Sequence, residues 1–265
     1  MNSILHKATE ADIVDLPFPH LVIHNALEDD LYEALASEFP PADVLLDGSE
    51  LFSNRAYRYP ASKILSDARI SNLWREFTTY HVSADFYLEV ISLFGDRIRS
   101  LYPNLETRLG KRLEDMASSI RFQEDFKDIA LESQFTYGAP VTQESRYVGP
   151  HIDREVALYA GLLYFRLEED DSTGGDLEFY RFKSSERAYA KIRRRVPERY
   201  VEVVKQIRYQ RNTLVFFLHS PESVHGVSTR SVTEFPRMHI NFVGEFQDKV
   251  FDLGEYPEAF ELLDQ

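Results

Sequence analysis

A chain of 265 residues with 43% hydrophobic and 28% charged side chains is long enough for one large domain with a substantial core. Its net charge of −14 opposes binding to nucleic acid or to an acidic membrane, and the absence of cysteine excludes disulfides, thiolate metal sites and cysteine nucleophiles. The N-terminus has no signal-like apolar segment and no apolar run is long enough to span a membrane, so we expect a cytoplasmic protein without membrane or nucleic-acid partners. The composition leaves the oligomeric state open.

The N-terminal half is predicted to be mainly helical. A short strand is expected from Pro17 to His24, followed by a helix with Asn25 as its N-cap and Glu28 completing a capping box. This helix would run to about Glu38. From about Asp67 to Tyr102 apolar residues recur at three- and four-residue spacing, which indicates further helix.

After Lys111 the pattern changes to strands. Strands are predicted over residues 133–137, 156–167, 176–182, 213–218 and 238–246, with a turn at Gly174-Gly175. Helices followed by many antiparallel strands indicate an α+β protein, with a double-stranded β-helix (jelly-roll) core buttressed by N-terminal helices. We expect a single domain in which residues 1–116 are mainly helical support, 117–246 form the jelly-roll core and 247–265 form a C-terminal tail.

The candidate metal ligands are His151, Asp153 and His225. In an extended segment, residues i and i+2 point to the same face, so His151 and Asp153 can reach one ion. A histidine from a neighbouring strand completes a triad of two histidines and one carboxylate, the ligand set of non-haem iron(II) oxygenases. His219, six residues before His225, is the competing ligand. We favour His225 because a new strand is predicted to start there, after the loop at Pro221.

The candidate ligands lie in or between five characteristic stretches within roughly residues 130 to 245. These are GPHID, LYAGLLYF, DDSTGGDLEFY, TLVFFLHSPESVHGV and PRMHINFV. In these stretches the chain resembles the 2-oxoglutarate/Fe(II)-dependent dioxygenase superfamily, in particular its small bacterial-type oxygenases. The resemblance implies a jelly-roll core and iron(II) bound by His151, Asp153 and His225, which would form the catalytic centre. It also implies 2-oxoglutarate and O₂ as cosubstrates for the hydroxylation of a C–H bond. Related halogenases lack the carboxylate ligand, so Asp153 favours hydroxylation.

The resemblance further implies a cationic residue that binds the distal carboxylate of 2-oxoglutarate, for which Arg230 and Arg237 are the candidates. Arg237 opens the last predicted strand and shares one face of it with His239 and Asn241, so we favour Arg237 and expect a bidentate pair. Tyr137 could donate a hydrogen bond from its hydroxyl group to 2-oxoglutarate, or could be a buried tyrosine whose hydroxyl group has another hydrogen-bond partner. Asn241 could support the cosubstrate or a ligand histidine.

The substrate is the least determined feature. A free amino acid or another small polar metabolite is the first expectation, and a residue of a peptide or protein is the alternative. A metal-binding jelly roll without turnover, a cupin-type isomerase and a metal hydrolase are the rival classes, and only the 2-oxoglutarate hypothesis requires Arg237. The segment from Arg181 to Arg211 contains eleven Lys or Arg residues and three Glu. It is predicted to be a solvated helix face, or a basic segment that pairs with the acidic remainder of the chain, rather than a lid that recognises an anionic substrate.

Overall fold

The computed structural model describes residues 3–184 and 195–253. The helices are α1 (Asp29–Ser37), α2 (Ala42–Leu46), α3 (Ala61–Ile64), α4 (Asn72–His81), α5 (Ala84–Leu101) and α6 (Leu105–Leu109). The strands are β1 (His20–His24), β2 (Ala56–Tyr59), β3 (Ser118–Ile120), β4 (Ile129–Gly138), β5 (Ala157–Tyr164), β6 (Leu177–Phe182), β7 (Val201–Ile207), β8 (Thr213–Leu218), β9 (His225–Val227) and β10 (Arg237–Phe246). No described helix has the length and apolar character required to cross a membrane.

Two sheets form the core. The larger sheet has the strand order β1-β8-β5-β10-β4-β2, all antiparallel, with β3 added parallel to β4. The smaller sheet has the order β7-β6-β9. Residues 148–151 extend it, because His151 and His225 exchange two backbone hydrogen bonds of 2.8 and 2.9 Å and Val227 N donates to Val148 O.

The path of the chain between the sheets defines the fold. From β4 the chain enters the small sheet at residues 148–151 and returns to the large sheet at β5. It then forms β6 and β7 in the small sheet, β8 in the large sheet, β9 in the small sheet and β10 in the large sheet. This alternation is the double-stranded β-helix, so the predicted α+β fold class is confirmed.

Each face of the large sheet has its own core. On the outer face, Trp74 of α4 packs edge-on against Phe135 of β4 at 4.7 Å between ring centroids, and Phe94 of α5 stacks on Phe216 of β8 at 5.4 Å. On the inner face, a second cluster around Phe179 and Phe217 fills the space between the two sheets. Because side chains alternate along a strand, the residues next to these outward aromatic rings point into the barrel.

Local structure differs from the sequence prediction in three places. Asn25 has a positive φ of 52° and is not the N-cap of α1, which begins after Glu28. The long helical stretch is two helices, since the Ser83 hydroxyl accepts the amide of Phe86 and caps the start of α5. The basic segment contains strand β7 rather than only a helix face, and its residues 185–194 lie outside the described residues.

The predicted division of the chain stays a prediction. Within residues 1–116, β1 and β2 extend the two edges of the large sheet, so the helical support also supplies strands. Most of the predicted C-terminal tail, residues 254–265, lies outside the described part of the chain.

Candidate metal centre and adjoining cavities

The structure brings His151, Asp153 and His225 together, with one potential ligand atom of each residue within 4.8 Å of the others. His151 Nε2 lies 3.8 Å from Asp153 Oδ1, and His225 Nε2 lies 3.7 Å from Asp153 Oδ2. The backbone pairing of residues 148–151 with β9 holds the two imidazole rings 4.3 Å apart. Gly226 allows this close approach, since a Cβ there would lie 2.9 Å from the carbonyl group of Gly149.

Backbone carbonyl groups set the tautomers of both candidate histidine ligands. His151 Nδ1 lies 2.9 Å from the carbonyl oxygen of Gly149, and His225 Nδ1 lies 2.9 Å from that of Ser223. A carbonyl oxygen accepts a hydrogen bond, so each Nδ1 carries the proton and each Nε2 has a free lone pair. Both lone pairs are on the nitrogen atoms that face Asp153, as metal binding requires.

His219 is the third histidine around Asp153. It is almost completely buried, and its Nε2 lies 3.3 Å from Asp153 Oδ2. Its Nδ1 has no hydrogen-bond partner among the described residues. No carbonyl group therefore fixes the proton on Nδ1, and Nε2 can carry it instead. With the proton on Nε2, His219 donates to the same carboxylate that His151 and His225 face.

The environment favours neutral histidines beside an ionised carboxylate. Burial, with a further contribution from His225, lowers the pKa of His151 to about 4, and burial also lowers the pKa values of His219 and His225. Burial acts to raise the pKa of Asp153, but the surrounding histidines and Arg58 outweigh it and hold that pKa below its usual range. Neutral imidazole and ionised carboxylate are the forms that bind a divalent cation.

Arg237, the first residue of β10, is 9% exposed and has no carboxylate partner among the described residues. Its Nε donates to the carbonyl oxygen of Gly175 at 2.7 Å, Nη1 donates to His239 Nδ1 at 3.3 Å and Nη2 donates to the Tyr164 hydroxyl at 3.3 Å. Gly175 has a φ of +71°, a backbone conformation that favours glycine. Burial and Arg237 hold the pKa of His239 well below its ordinary value, so this ring is neutral and accepts.

Arg230, the alternative cation, has a carboxylate partner. It is 2% exposed, its Nη2 donates to Asp170 Oδ2 at 2.9 Å and its Nε donates to the Ser172 hydroxyl at 3.1 Å. Both Arg230 and Arg237 line one narrow cavity, but the charge of Arg230 is compensated within the protein and that of Arg237 is not.

The other predicted cosubstrate residues lie apart. Tyr137 pairs in register with Met238 on the outer face of β4 and belongs to the core under the helices, so the structure does not bring it to the cavity of Arg237. Its neighbour Thr136 points inward, lines that cavity and has a buried hydroxyl without a partner. Tyr147 lines the same cavity and is a hydroxyl donor that sequence reasoning missed. Asn241 faces inward, but lines a different cavity together with Asp153.

This second cavity has a volume of about 390 Å³ and adjoins the metal centre through Asp153. Its polar lining includes Arg58, Arg121, Gln134 and Asn241. Arg58 on β2 faces Thr136 across the sheet, and sequence reasoning did not identify it.

No family model and no curated protein matches this sequence. Among solved structures, the chain is similar to a prolyl-4-hydroxylase from Pseudomonas putida at 17% identity and a TM-score of 0.44, over 86% of this chain and 93% of that one. It is similar at 13% identity and a TM-score of 0.46 to a prolyl hydroxylase from Trichoplax adhaerens in complex with a peptide fragment of the hypoxia-inducible factor, over 86% and 84% of the chains. HygX from Streptomyces hygroscopicus, with nickel and 2-oxoglutarate bound, matches at 14% identity and a TM-score of 0.40, over 86% and 83%.

Proposed function

We propose that the protein is a non-haem iron(II) oxygenase in which His151, Asp153 and His225 hold the metal. The support is the donor set itself, since two imidazole nitrogens with free lone pairs and one ionised carboxylate face a common point. Two histidines and one carboxylate are typical of iron(II) sites that leave positions open for other ligands. His219 would donate a hydrogen bond to Asp153 and orient that carboxylate, as partners of metal ligands commonly do.

The cosubstrate in this proposal is 2-oxoglutarate. The observation that carries it is that Arg237 is buried and has no carboxylate partner among the described residues. Three of its five N–H groups have partners, which leaves one N–H on each terminal nitrogen. Two adjacent N–H groups on a buried guanidinium fit a carboxylate, and a buried charge without a counter-ion is costly. Neutral His239, the Thr136 hydroxyl and Tyr147 would hold the cosubstrate from the sides of the same cavity.

The reaction we infer is the hydroxylation of a C–H bond, in which the substrate, O₂ and 2-oxoglutarate give the hydroxylated product, succinate and CO₂. Bound iron(II) supplies the activation of O₂, and the chain supplies position and shielding from water. The phenyl ring of Phe217 lies 4.9 Å from the ring of His225 and covers the metal centre from the inner core. The proposed substrate is a small polar metabolite such as a free amino acid, with a residue of a peptide or protein as the alternative.

The test is an anaerobic titration of 2-oxoglutarate into the iron(II)-loaded protein, followed by the metal-to-ligand absorption band. We expect about one iron(II) per chain and a band that saturates with 2-oxoglutarate. Succinate release after O₂ is admitted should then depend on both iron and 2-oxoglutarate. Metal binding without the band would instead favour a metal-binding jelly roll without this turnover. A screen of amino acids and of peptides for stimulation of succinate release separates the two substrate classes.

A further inference from the structure

The cavity beside Asp153 carries an excess of positive charge. Three arginines line it, against Glu245 and the proposed metal ligand Asp153. Arg121 and Arg154 both approach Glu245, at 2.8 Å from Nε of Arg121 and 3.4 Å from Nη1 of Arg154. With Asp153 assigned to the metal, one carboxylate stands against three guanidinium groups in a protein whose net charge is −14.

Arg58 is the arginine of this cavity without a carboxylate partner among the described residues. It belongs to edge strand β2, where it is an exposed residue on the same face of the sheet as its partner Thr136. Two carboxamide side chains beside it, Gln134 and Asn241, face each other across β4 and β10. In the described part of the chain neither amide group has a hydrogen-bond partner, although Gln134 is only 3% exposed. Unpaired polar groups beside an unpaired cation indicate a binding site for a polar ligand.

The two uncompensated arginines line different cavities, Arg58 the one beside Asp153 and Arg237 the other. Arg58 lies level with His239 on β10, because both residues pair with Thr136 of β4, and Arg237 is two residues further along β10. Asp153 lines the cavity of Arg58 and is absent from the lining of the cavity of Arg237. One anion bound at Arg237 would therefore leave Arg58 free for a second anion.

We propose that the cavity at Arg58 binds the oxidised substrate through a carboxylate group, which pairs with the Arg58 guanidinium while Gln134 and Asn241 bind the neighbouring polar groups. The substrate class is then a small carboxylic acid, free amino acids included. This inference rests on the proposed function, since the same metal centre must act on the bound molecule. An internal residue of a peptide has no free α-carboxylate, and only an Asp or Glu side chain could replace it, so the proposal favours a free metabolite.

The experiment uses the full chain loaded with iron(II) and 2-oxoglutarate without O₂. The probes are the proteinogenic L-amino acids, their N-acetyl derivatives and their carboxamides, which lack the carboxylate charge. Binding is followed by the shift of the absorption band and by the thermal midpoint of the protein. We expect at least one acid to bind, its carboxamide to bind at least about tenfold more weakly, and R58A to lose a similar factor for the acid. R58K should recover part of the loss.

Controls separate this inference from the proposed function. R58A should bind 2-oxoglutarate like the wild type, and R112A, at a surface arginine paired with Glu114, should bind both ligands normally. The inference is overturned if no acid of the panel binds, if acid and carboxamide bind equally, or if R58A binds the acid like the wild type. Loss of 2-oxoglutarate binding in R58A would instead assign Arg58 to the cosubstrate and also overturn it. A wild type without the 2-oxoglutarate band contradicts the proposed function, while the thermal midpoint still reports acid binding.

Discussion

Replacement of Arg237 by alanine is the change that most directly tests the proposed cosubstrate site. The side chain is 9% exposed, and its partners are the Gly175 carbonyl, the His239 ring and the Tyr164 hydroxyl, none of which carries a negative charge. A 2-oxoglutarate carboxylate would therefore be the counter-ion of this guanidinium. In R237A that carboxylate would enter a desolvated cavity without a cation.

The expected loss follows from the burial of the pair. Removing one partner of a buried ion pair costs on the order of 3–5 kcal/mol, which corresponds to roughly two to four decades in dissociation constant. The assay is the anaerobic titration of 2-oxoglutarate followed by the absorption band, with iron(II) affinity measured separately. Iron(II) affinity measured without 2-oxoglutarate should not fall, because Arg237 is not among the three grouped ligands and loss of its positive charge does not oppose a cation. R237K should recover part of the loss, since an ammonium group cannot form the two-toothed pair.

Arg230 provides the matched comparison, because it lines the same cavity but is already paired with Asp170. R230A should mainly lower the stability of the fold, by leaving a buried carboxylate with a weaker partner, and should change 2-oxoglutarate affinity much less than R237A does. The reasoning is refuted if R237A binds 2-oxoglutarate like the wild type. If R237A binds normally and R230A binds weakly with an unchanged thermal midpoint, the two roles are exchanged.

Three further changes test the metal centre and its surroundings. H225A should abolish iron(II) binding in a metal titration, whereas H219A should weaken it by about 10- to 100-fold because it removes only a partner of Asp153; equal losses would make His219 a ligand. G226A should weaken iron(II) binding while the thermal midpoint falls modestly, because the added Cβ would lie 2.9 Å from the Gly149 carbonyl group and push β9 away from His151; unchanged affinity would contradict this. Burial raises the pKa of Glu132 to about 7 from 4.5, so the folded state holds a proton that the unfolded state loses, and stability falls as pH rises from about 4.5 to 7. In E132Q the free energy of unfolding, measured with denaturant, should fall by about 3 kcal/mol less over this pH range than in the wild type. Identical pH profiles of the two proteins would show that Glu132 titrates normally.

The strands of the core could be predicted from the sequence because their patterns reflect burial. Residues 213–218 are apolar except for Thr213 and form β8 with the predicted bounds, since both faces of this strand are covered. His151 and Asp153 could be paired by the same two-residue period. The sequence also favoured Arg237 over Arg230. The physical reason is that the buried Asp170, sixty residues before Arg230, pairs with Arg230 and compensates its charge.

What could not be predicted depended on register between distant strands. Tyr137 and Thr136 are equally plausible donors in the sequence, and only the pairing of β4 with β10 decides that Thr136 points inward. Arg58 lies in a segment without a diagnostic pattern, and its place beside Gln134 and Asp153 follows from the addition of β2 to the edge of β4. The contact of His219 with Asp153 likewise joins two loops at the ends of different strands.

The charges of the site imply that the metal and the cosubstrate bind as a coupled pair. If only the metal ligands and the proposed cosubstrate cation are counted, the negative charge of Asp153 balances the positive charge of Arg237 in the free protein. A divalent cation alone would leave this interior with two excess positive charges, and doubly charged 2-oxoglutarate alone would leave it with two excess negative charges. Both states leave uncompensated charge beside the buried Arg237 and the partly exposed Asp153, whereas the two ligands together balance the charges of these two residues. Each ligand should therefore strengthen the binding of the other by the same factor, because coupling between binding equilibria is reciprocal. Arg58, whose charge also acts on Asp153, is left without a counter-ion when the metal and the cosubstrate are in place, so it remains available to a substrate anion.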